Sequence, residues 1–528
     1  MDPVVVTFVI LGVAVVAFVS GRIPLAVVAI GVSLALWATG VLSLGQSLAG
    51  FGDPTVLFIA SLFVVSEGLD ATGVTARLGR FVVARAGTGR TRVLLSVMVI
   101  VAVLTALISV NGAVAALLPM AVVIAVRVGL PPSQLLLPLA FAAHAGSMLA
   151  LTGTPVNVIV SEFAADEAGG PFGYFEFALV GAPLVVGTVL LALVLGPRML
   201  PARTAAAVPR DLADHERTLL ADYAGLVDAD GGGRAALIDA EHGVAEVMVP
   251  PRSDLLGLRV FPGMLTPSGR LVILAVARNG RELSGPDTSL QVGDVLLLQG
   301  SWDDLEEHTA GDDVRVVDAP AVVRGQAAPI GVRGYLAIGV LAAMIVLLAT
   351  GLVPAVVAGL LAAGAMILLR VVSIGRAYRA ISWTTVILVA GMIPMSTAFT
   401  TTGAAELVGT ALVDLAGPGG PYVVLLAVSL LVVVLGQLIS NMATALIVAP
   451  IAISSAVELG VSARPFLMAL TVVAAAAFLT PIATPVNLMV MGPGAYRFGD
   501  YARFGWPFTL LFLVVGVLLV PLIWPFGG

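Results

Sequence analysis

The sequence predicts an all-α polytopic membrane protein. It has two inverted repeats, each of five transmembrane helices plus a re-entrant hairpin, and a small α+β domain inserted between them. Three observations predict it. The chain has 528 residues, 59% hydrophobic and 11% charged, where soluble domains carry about 25% charge. Four sequence blocks of one half return in the other, in the same order, at an offset of 330 or 331. Of the 32 acidic residues, 20 fall between 211 and 318, in a stretch whose texture is that of a water-facing domain.

The membrane reading comes first. Mean hydropathy is +1.08. The runs 4–20, 24–41, 177–196, 335–352, 354–369 and 507–524 approach the roughly 20 residues a helix needs to cross a bilayer. Only helices and closed barrels satisfy their backbone in lipid, and these runs lack the two-residue alternation of a barrel strand. Met1-Asp2-Pro3 has no basic flank, so 4–20 is read as a span and not as a cleaved signal. The chain contains no cysteine, which excludes disulfides, thiolate metal sites and cysteine nucleophiles.

The chain divides into a first membrane repeat (1–200), an insert (201–330) and a second membrane repeat (331–528). "DLADHERTLLADYAGLV" (211–227) reads as an amphipathic helix that "DADGGG" ends. "EVMV" (246–249), "RLVILAVARNG" (270–280) and "DVLLLQG" (294–300) read as strands between Gly, Pro and Asp turns, so the core of the insert is 241–318.

The repeats align block by block. "LSLGQSLAGFGDPTVLFIA" (42–60) matches "VSIGRAYRAISWTTVILVA" (372–390). "SEGLDATGVTARLG" (66–79) matches "STAFTTTGAAELVG" (396–409). "LISVNGAVAALLP" (107–119) matches "LISNMATALIVAP" (438–450), and "TPVN" occurs at 154–157 and 484–487. Arginine placement orients them. Arg22, Arg77, Arg80, Arg85, Arg90, Arg92, Arg127 and Arg198 share one side if 93–126 is a hairpin. The loops 42–53 and 161–176 hold Asp53, Glu162, Asp166, Glu167 and Glu176 and no arginine. The repeat ends then lie on opposite sides, so the second repeat is inverted. Its Arg333, Arg370, Arg376, Arg379, Arg497 and Arg503 fall inside, and Arg464 falls outside. The insert is expected in the cytoplasm and both termini outside.

Inverted repeats with broken helices and hairpins point to a secondary transporter with its site near the midplane. Proline in "GTPVN" and "ATPVN" removes a backbone donor and unwinds the helix. Freed carbonyls, with Thr154, Asn157, Thr484 and Asn487, offer neutral oxygens to a cation such as Na⁺. The half-helix after each break points its N–H groups inward, which favours an anion. The hairpins add "SVNG" (Ser109, Asn111, Gly112) and "SNMAT" (Ser440, Asn441, Thr444). The bland alternative is that these Ser, Thr and Asn bond helix to helix while Gly and Ala allow close packing. It is less able to explain four Asn clusters in symmetric positions. Glu67 and Asp70 form a proton relay or, the plainer reading, cap or pair near the interface, for instance with Arg77. His144 shuttles a proton or packs as a satisfied core residue. No metal-binding His cluster, nucleophile elbow or phosphate loop supports an enzyme, and nothing suggests a nucleic-acid partner.

At these residues the chain resembles the divalent anion/sodium symporter family of the ion transporter superfamily. That family is known by paired Ser-Asn-Thr motifs at two hairpin tips, each matched by an unwound helix. "SNMAT" matches closely, whereas "SVNGA" has Val110 before the Asn and Gly112 where Thr is usual. The resemblance implies one Na⁺ site at Ser109, Asn111 and Gly153 and a second at Ser440, Asn441, Thr444 and Ala483, with Asn157 and Asn487 beside them. Thr154, Pro155, Thr484, Pro485 and the hairpin tips (Asn111, Gly112, Asn441, Thr444) would touch the anion. It also implies a homodimer in the plasma membrane of a prokaryote, with an elevator-like transport domain. The insert, through "AEVMVPPRSDLLGLRV" (245–260) and "LVILAVARNGRELSGPDTSLQVGDVLLLQG" (271–300), resembles the C-terminal regulatory module of potassium-uptake proteins (TrkA-C). That implies dimerisation, stability or the sensing of a small-molecule regulator. The layout as a whole resembles permeases described as sulfate or sulfur-deprivation transporters. The expected cargo is a dianion moved with Na⁺, sulfate before C4-dicarboxylate; a Na⁺/H⁺-type antiporter and a gated channel are the alternatives.

Overall fold

The computed structural model describes residues 2–20, 22–75, 77, 89–203, 238, 241–278, 281–283, 288–318, 320, 323, 331–416 and 419–527. The expected helix 211–227 lies outside these. The chain forms two compact units. One is Met1–Glu67, Gly79–Pro209 and Gly339–Gly528, and the other is Gly68–Leu78 and Arg210–Ile338. Among the described residues nine helices are long and apolar enough to cross a membrane.

In the first half the helices are α1 (Pro3–Ser20), α2 (Leu25–Ala38), a short α3 (Leu44–Leu48) and α4 (Pro54–Ala71). The hairpin α5 (Arg90–Leu107) and α6 (Val110–Arg127) follows, then α7 (Leu136–Gly146), α8 (Pro155–Glu167) and α9 (Ala178–Met199). Apolar composition dictates most of these spans, and Val9, Val13 and Val16 of α1 stay exposed, as side chains facing lipid do. Caps fix the ends. Ser43 and Gln46 form a reciprocal capping box at α3. Between α7 and α8 the chain passes through two 3₁₀ turns, Ser147–Leu149 and Leu151–Gly153, so the "TPVN" proline sits at the first position of a new helix, where its missing N–H costs nothing.

The insert carries a five-stranded antiparallel sheet in the order β4-β3-β6-β1-β7 and a two-stranded ribbon β2-β5. The strands are β1 (His242–Met248), β2 (Arg259–Val260), β3 (Val272–Arg278), β4 (Arg281–Glu282), β5 (Thr288–Ser289), β6 (Val295–Ser301) and β7 (Arg315–Val316). The three long strands fall on the three stretches read from sequence. β1 pairs with β6 from His242↔Ser301 to Met248↔Val295, and α10 (Trp302–Thr309) follows, with Trp302 fully buried against the sheet core. The Arg278 guanidinium grips Asp294 through Nε (2.7 Å) and Nη2 (2.8 Å). Burial alone would raise the Asp294 carboxyl, but Arg278 and the Gln291 N–H hold it below its ordinary value.

The second half repeats the first. It runs α11 (Val332–Thr350), α12 (Ala355–Leu368), α13 (Ile374–Ala380), α14 (Trp383–Thr402) and α15 (Ala404–Ala416). The hairpin α16 (Gly420–Leu438) and α17 (Asn441–Glu458), then α18 (Arg464–Ala474) and α19 (Pro485–Met491), complete the pattern. The last helix is α20 (Phe498–Ile523). Each repeat thus has five spans and a hairpin, and both hairpins carry an internal proline, Pro119 and Pro450.

The halves pack reciprocally. α2 lies on α14 so tightly that a Cβ on Gly391 would sit 2.7 Å from the Ala29 backbone, and Ser33 Oγ donates to Gly391 O at 2.9 Å. In turn α12 lies on α4, where a Cβ on Gly359 would meet Ser61 and Phe58. Helix two of each half covering helix four of the other is what a two-fold relation produces. Behind the breaks Phe141 of the first half meets Phe478 (4.5 Å between centroids), Phe504 and Phe508 of the second. Such pairs contribute about 0.5–1.5 kcal/mol each beyond burial.

Candidate functional site

Four helix starts converge on one cavity of about 140 Å³ in the membrane unit. Each start is capped by its own hydroxyl. Ser109 accepts from Gly112 N–H (3.2 Å) and Ser440 from Ala443 N–H (3.2 Å) at the hairpin tips. Thr154 accepts from Val156 N–H (3.4 Å) and Thr484 from Asn487 N–H (3.4 Å) after the breaks. A hydroxyl that accepts one N–H keeps a second lone pair and its own proton, so all four can still serve a ligand.

The cavity wall contains Ser109, Asn111, Gly153, Thr154, Pro155, Ser440, Asn441, Ala483, Thr484 and Pro485. Gly112, Asn157, Thr444 and Asn487, which the sequence placed with them, are not in the wall. Asn157 and Asn487 are fully buried behind it. Asn157 Nδ2 donates to Ser147 O and Ala150 O, both at 2.9 Å. Asn487 Nδ2 donates to Ala477 O (2.8 Å) and Thr480 O (3.0 Å). Each amide therefore staples the unwound segment, and those carbonyls are already engaged. What remains is the other end of each amide. Asn157 Oδ1, Asn441 Oδ1 and the Thr444 hydroxyl are buried with no hydrogen-bond partner among the described residues, whereas the Asn487 side chain also meets the His144 ring. Buried oxygens rarely lack partners, and neutral oxygens without a donor are what a hard cation takes.

Sequence reasoning missed several supports. Gln437 spans from α16 to the second break, donating to Ala476 O (3.2 Å) and accepting from Leu479 N–H (3.0 Å). In the first half Thr152 does this work, through Ala106 O (3.2 Å) and the Tyr174 hydroxyl (2.9 Å). Gly153 has no room for a side chain, since a Cβ would stand 2.2 Å from Ser147 O. His144, read as a proton shuttle or a core residue, lines the cavity and bonds Thr484 of the other half. Glu67 pairs with Arg376, 309 residues away, at 2.5 Å. Arg464 binds Glu176 (3.2 Å) and Gly170 O (2.9 Å) and lies 4.6 Å from the Phe172 ring centroid. Trp524 Nε1 also donates to Glu176, at 2.6 Å.

Duplicated halves, facing hairpins and broken helices around a neutral polar cavity define an integral membrane transporter, not an enzyme. The chain matches the family described as CitMHS, citrate transporter, over residues 15–473 and belongs to it. It is 31% identical to the "Uncharacterized transporter YfbS" of Escherichia coli (strain K12) over 98% of each chain. It is 30% identical to "Sodium/sulfate cotransporter 1" of Chlamydomonas reinhardtii over 52% of this chain and 32% of that one. Among solved structures, the YdaH transporter of Alcanivorax borkumensis matches with a TM-score of 0.50 and 16% identity. The match covers 92% of this chain and 88% of that one, and it supports the fold.

Proposed function

We propose that the protein is a sodium-coupled symporter of a divalent anion, sulfate first, working by elevator-type alternating access as a homodimer. One observation carries the reading. Four capped helix N-termini face a cavity whose described wall residues include no Arg, while three buried oxygens, on Asn157, Asn441 and Thr444, lack donors. Helix starts favour an anion, and unpaired neutral oxygens favour Na⁺. Co-binding of Na⁺ would offset the charge that the wall itself does not. Asn441, Thr444 and Asn487 would hold one ion with Ser440 and Ala483. Ser109, Asn111, Gly153 and Asn157 would hold the other, with fewer unpaired oxygens. Thr154, Pro155, Thr484, Pro485 and the tips, Gly112 included, would shape the anion cradle. The sodium/sulfate cotransporter among its relatives supports sulfate and sodium coupling.

A C4-dicarboxylate is the second cargo, supported by a relative named "Sodium-dependent dicarboxylate transporter SdcS", 30% identical over 26% of each chain. The Na⁺/H⁺-type antiporter needs a carboxylate at the breaks; of its two candidates, Glu67 is held by Arg376, and Asp70 lies on the same helix α4, outside the cavity wall. The insert, read as a TrkA-C-like module in the cytoplasm, would set rate through dimerisation or a bound regulator. Both chain ends would then lie outside the plasma (inner) membrane. Reconstituted protein should take up labelled sulfate when an inward Na⁺ gradient is imposed, and excess succinate should not block it. Succinate uptake in place of sulfate would change the cargo. Uptake of neither would return the antiporter.

A further inference from the structure

The repeat symmetry of the cavity is broken at one position. His144 lies near the end of α7, and the residue 330 positions later is Ala474. The cavity therefore has one imidazole, and among its described lining residues no other side chain is ionisable. His144 is 4% exposed. Its ring stands edge-on to Phe478, 5.7 Å between centroids, its Nε2 is 3.2 Å from Thr484 Oγ1, and the Asn487 side chain is a further hydrogen-bond partner of the ring. Thr484 Oγ1 already accepts the Asn487 N–H. One bond thus joins the first half to the capped helix start of the second, at a hydroxyl that faces the cavity.

We propose that His144 is a positioning and specificity-determining residue: its Nε2–H donates to Thr484 Oγ1 and thereby turns the Thr484 proton into the cavity, toward the anion. A hydroxyl has two acceptor lone pairs and one proton. Asn487 N–H takes one lone pair. If the imidazole takes the second, the proton has nowhere to go but the cavity. If instead Nε2 were bare, Thr484 would donate to it, and the cavity would face a lone pair that repels an anion. The tautomer therefore sets whether Thr484 is a donor or an acceptor toward the cargo. Thr154, the counterpart in the first half, accepts the Val156 N–H, and the position equivalent to His144 is Ala474, which has no donor to offer it. The cradle is therefore unequal, with an imidazole behind one threonine hydroxyl and an alanine at the equivalent position for the other. A fully deprotonated dianion, which only accepts, is favoured at Thr484 over an anion that must donate a proton there.

This inference rests on the proposed anion site, and the test separates the two. Gln places an N–H where Nε2 is, and Asn places one where Nδ1 is. In liposomes with a saturating Na⁺ gradient, His144→Asn should raise the half-saturating sulfate concentration about tenfold, the upper range for one lost hydrogen bond. The maximal rate should move much less. His144→Gln should stay within about threefold of the parent, by the same magnitudes. A second arm leaves His144 in place. Thr484→Val should raise half-saturation as His144→Asn does, and adding His144→Asn to it should cost nothing further, because both remove one relay. Gln and Asn behaving alike, or additive defects, would overturn the inference while leaving the symporter intact. A parent protein that takes up neither sulfate nor succinate would overturn both.

Discussion

Asn157 and Asn487 hold the same post in the two halves: each side-chain amide donates to the carbonyls ten and seven residues before it. A helix that is broken in a membrane leaves carbonyls that must be satisfied. These two asparagines do so from within the next helix; Asn157 keeps a buried oxygen spare, and Asn487 also meets the His144 ring.

Replacing Asn487 by Ala should therefore act on the fold first. The buried Ala477 carbonyl and the part-buried Thr480 carbonyl lose their donor, at about 1–3 kcal/mol for the buried one. The apparent melting temperature of the purified protein in detergent should fall clearly, with or without Na⁺. A melting temperature equal to the parent's would reject the staple.

Asn441→Ala should do the reverse. Asn441 Oδ1 has no partner to lose, so melting should be little changed. The Na⁺ concentration for half-maximal uptake should rise about tenfold, as for one lost ligand contact of roughly 1.4 kcal/mol. Unchanged sodium dependence would remove Asn441 from the cation site.

Gly153 and Ala483 occupy equivalent positions with unequal room. Gly153→Ala drives a Cβ against Ser147 O, and transport should drop to background because the first break cannot keep its shape. Ala483→Gly removes only a methyl and should retain most activity. Equal activity in both variants would show the close approach to be dispensable.

Much of this was legible in the sequence. The spans, both hairpins and both breaks follow from apolar runs, the 330-residue offset and proline, all local signals. The long strands of the insert follow from alternating Val and Leu between turns. The partners were not legible. Glu67 was matched to Arg77 because that charge is near in sequence, whereas Arg376 arrives from the other half. Gln437, Thr152 and the Arg464–Glu176–Trp524 group act across helix contacts that leave no period in the chain. Asn157 and Asn487 read from sequence as cation ligands, and composition cannot say that the nitrogen end of each amide is already used on the unwound segment.

The Arg464–Glu176 pair joins the halves through partly buried groups, and Glu176 also holds Trp524. A double-mutant cycle of Arg464→Met and Glu176→Gln should give a coupling of about 1–2 kcal/mol in detergent unfolding. A coupling near zero would make the contact incidental.

The insert should weaken in acid. Asp294 is held below its ordinary value when folded, and its unfolded value is about 3.9. A depressed carboxyl stabilises above the unfolded value, and that stability is lost as pH falls through the folded one. Trp302 emission should shift red below about pH 4, read in a variant whose other four tryptophans are phenylalanine. In Asp294→Asn that acid step should vanish.

Each half of the membrane unit finishes the other's wall, and this sets a clock on biosynthesis. The small-residue face of α2, with Ala29 and Ser33, is made long before Gly391 of α14. At 5–20 residues per second, roughly 360 intervening residues leave that face against lipid for about 20–70 s. During that wait a bare Ser hydroxyl and a narrow groove are open to any neighbouring helix. A newborn first half is thus a waiting partner, and a ribosome that stalls in the insert strands it there.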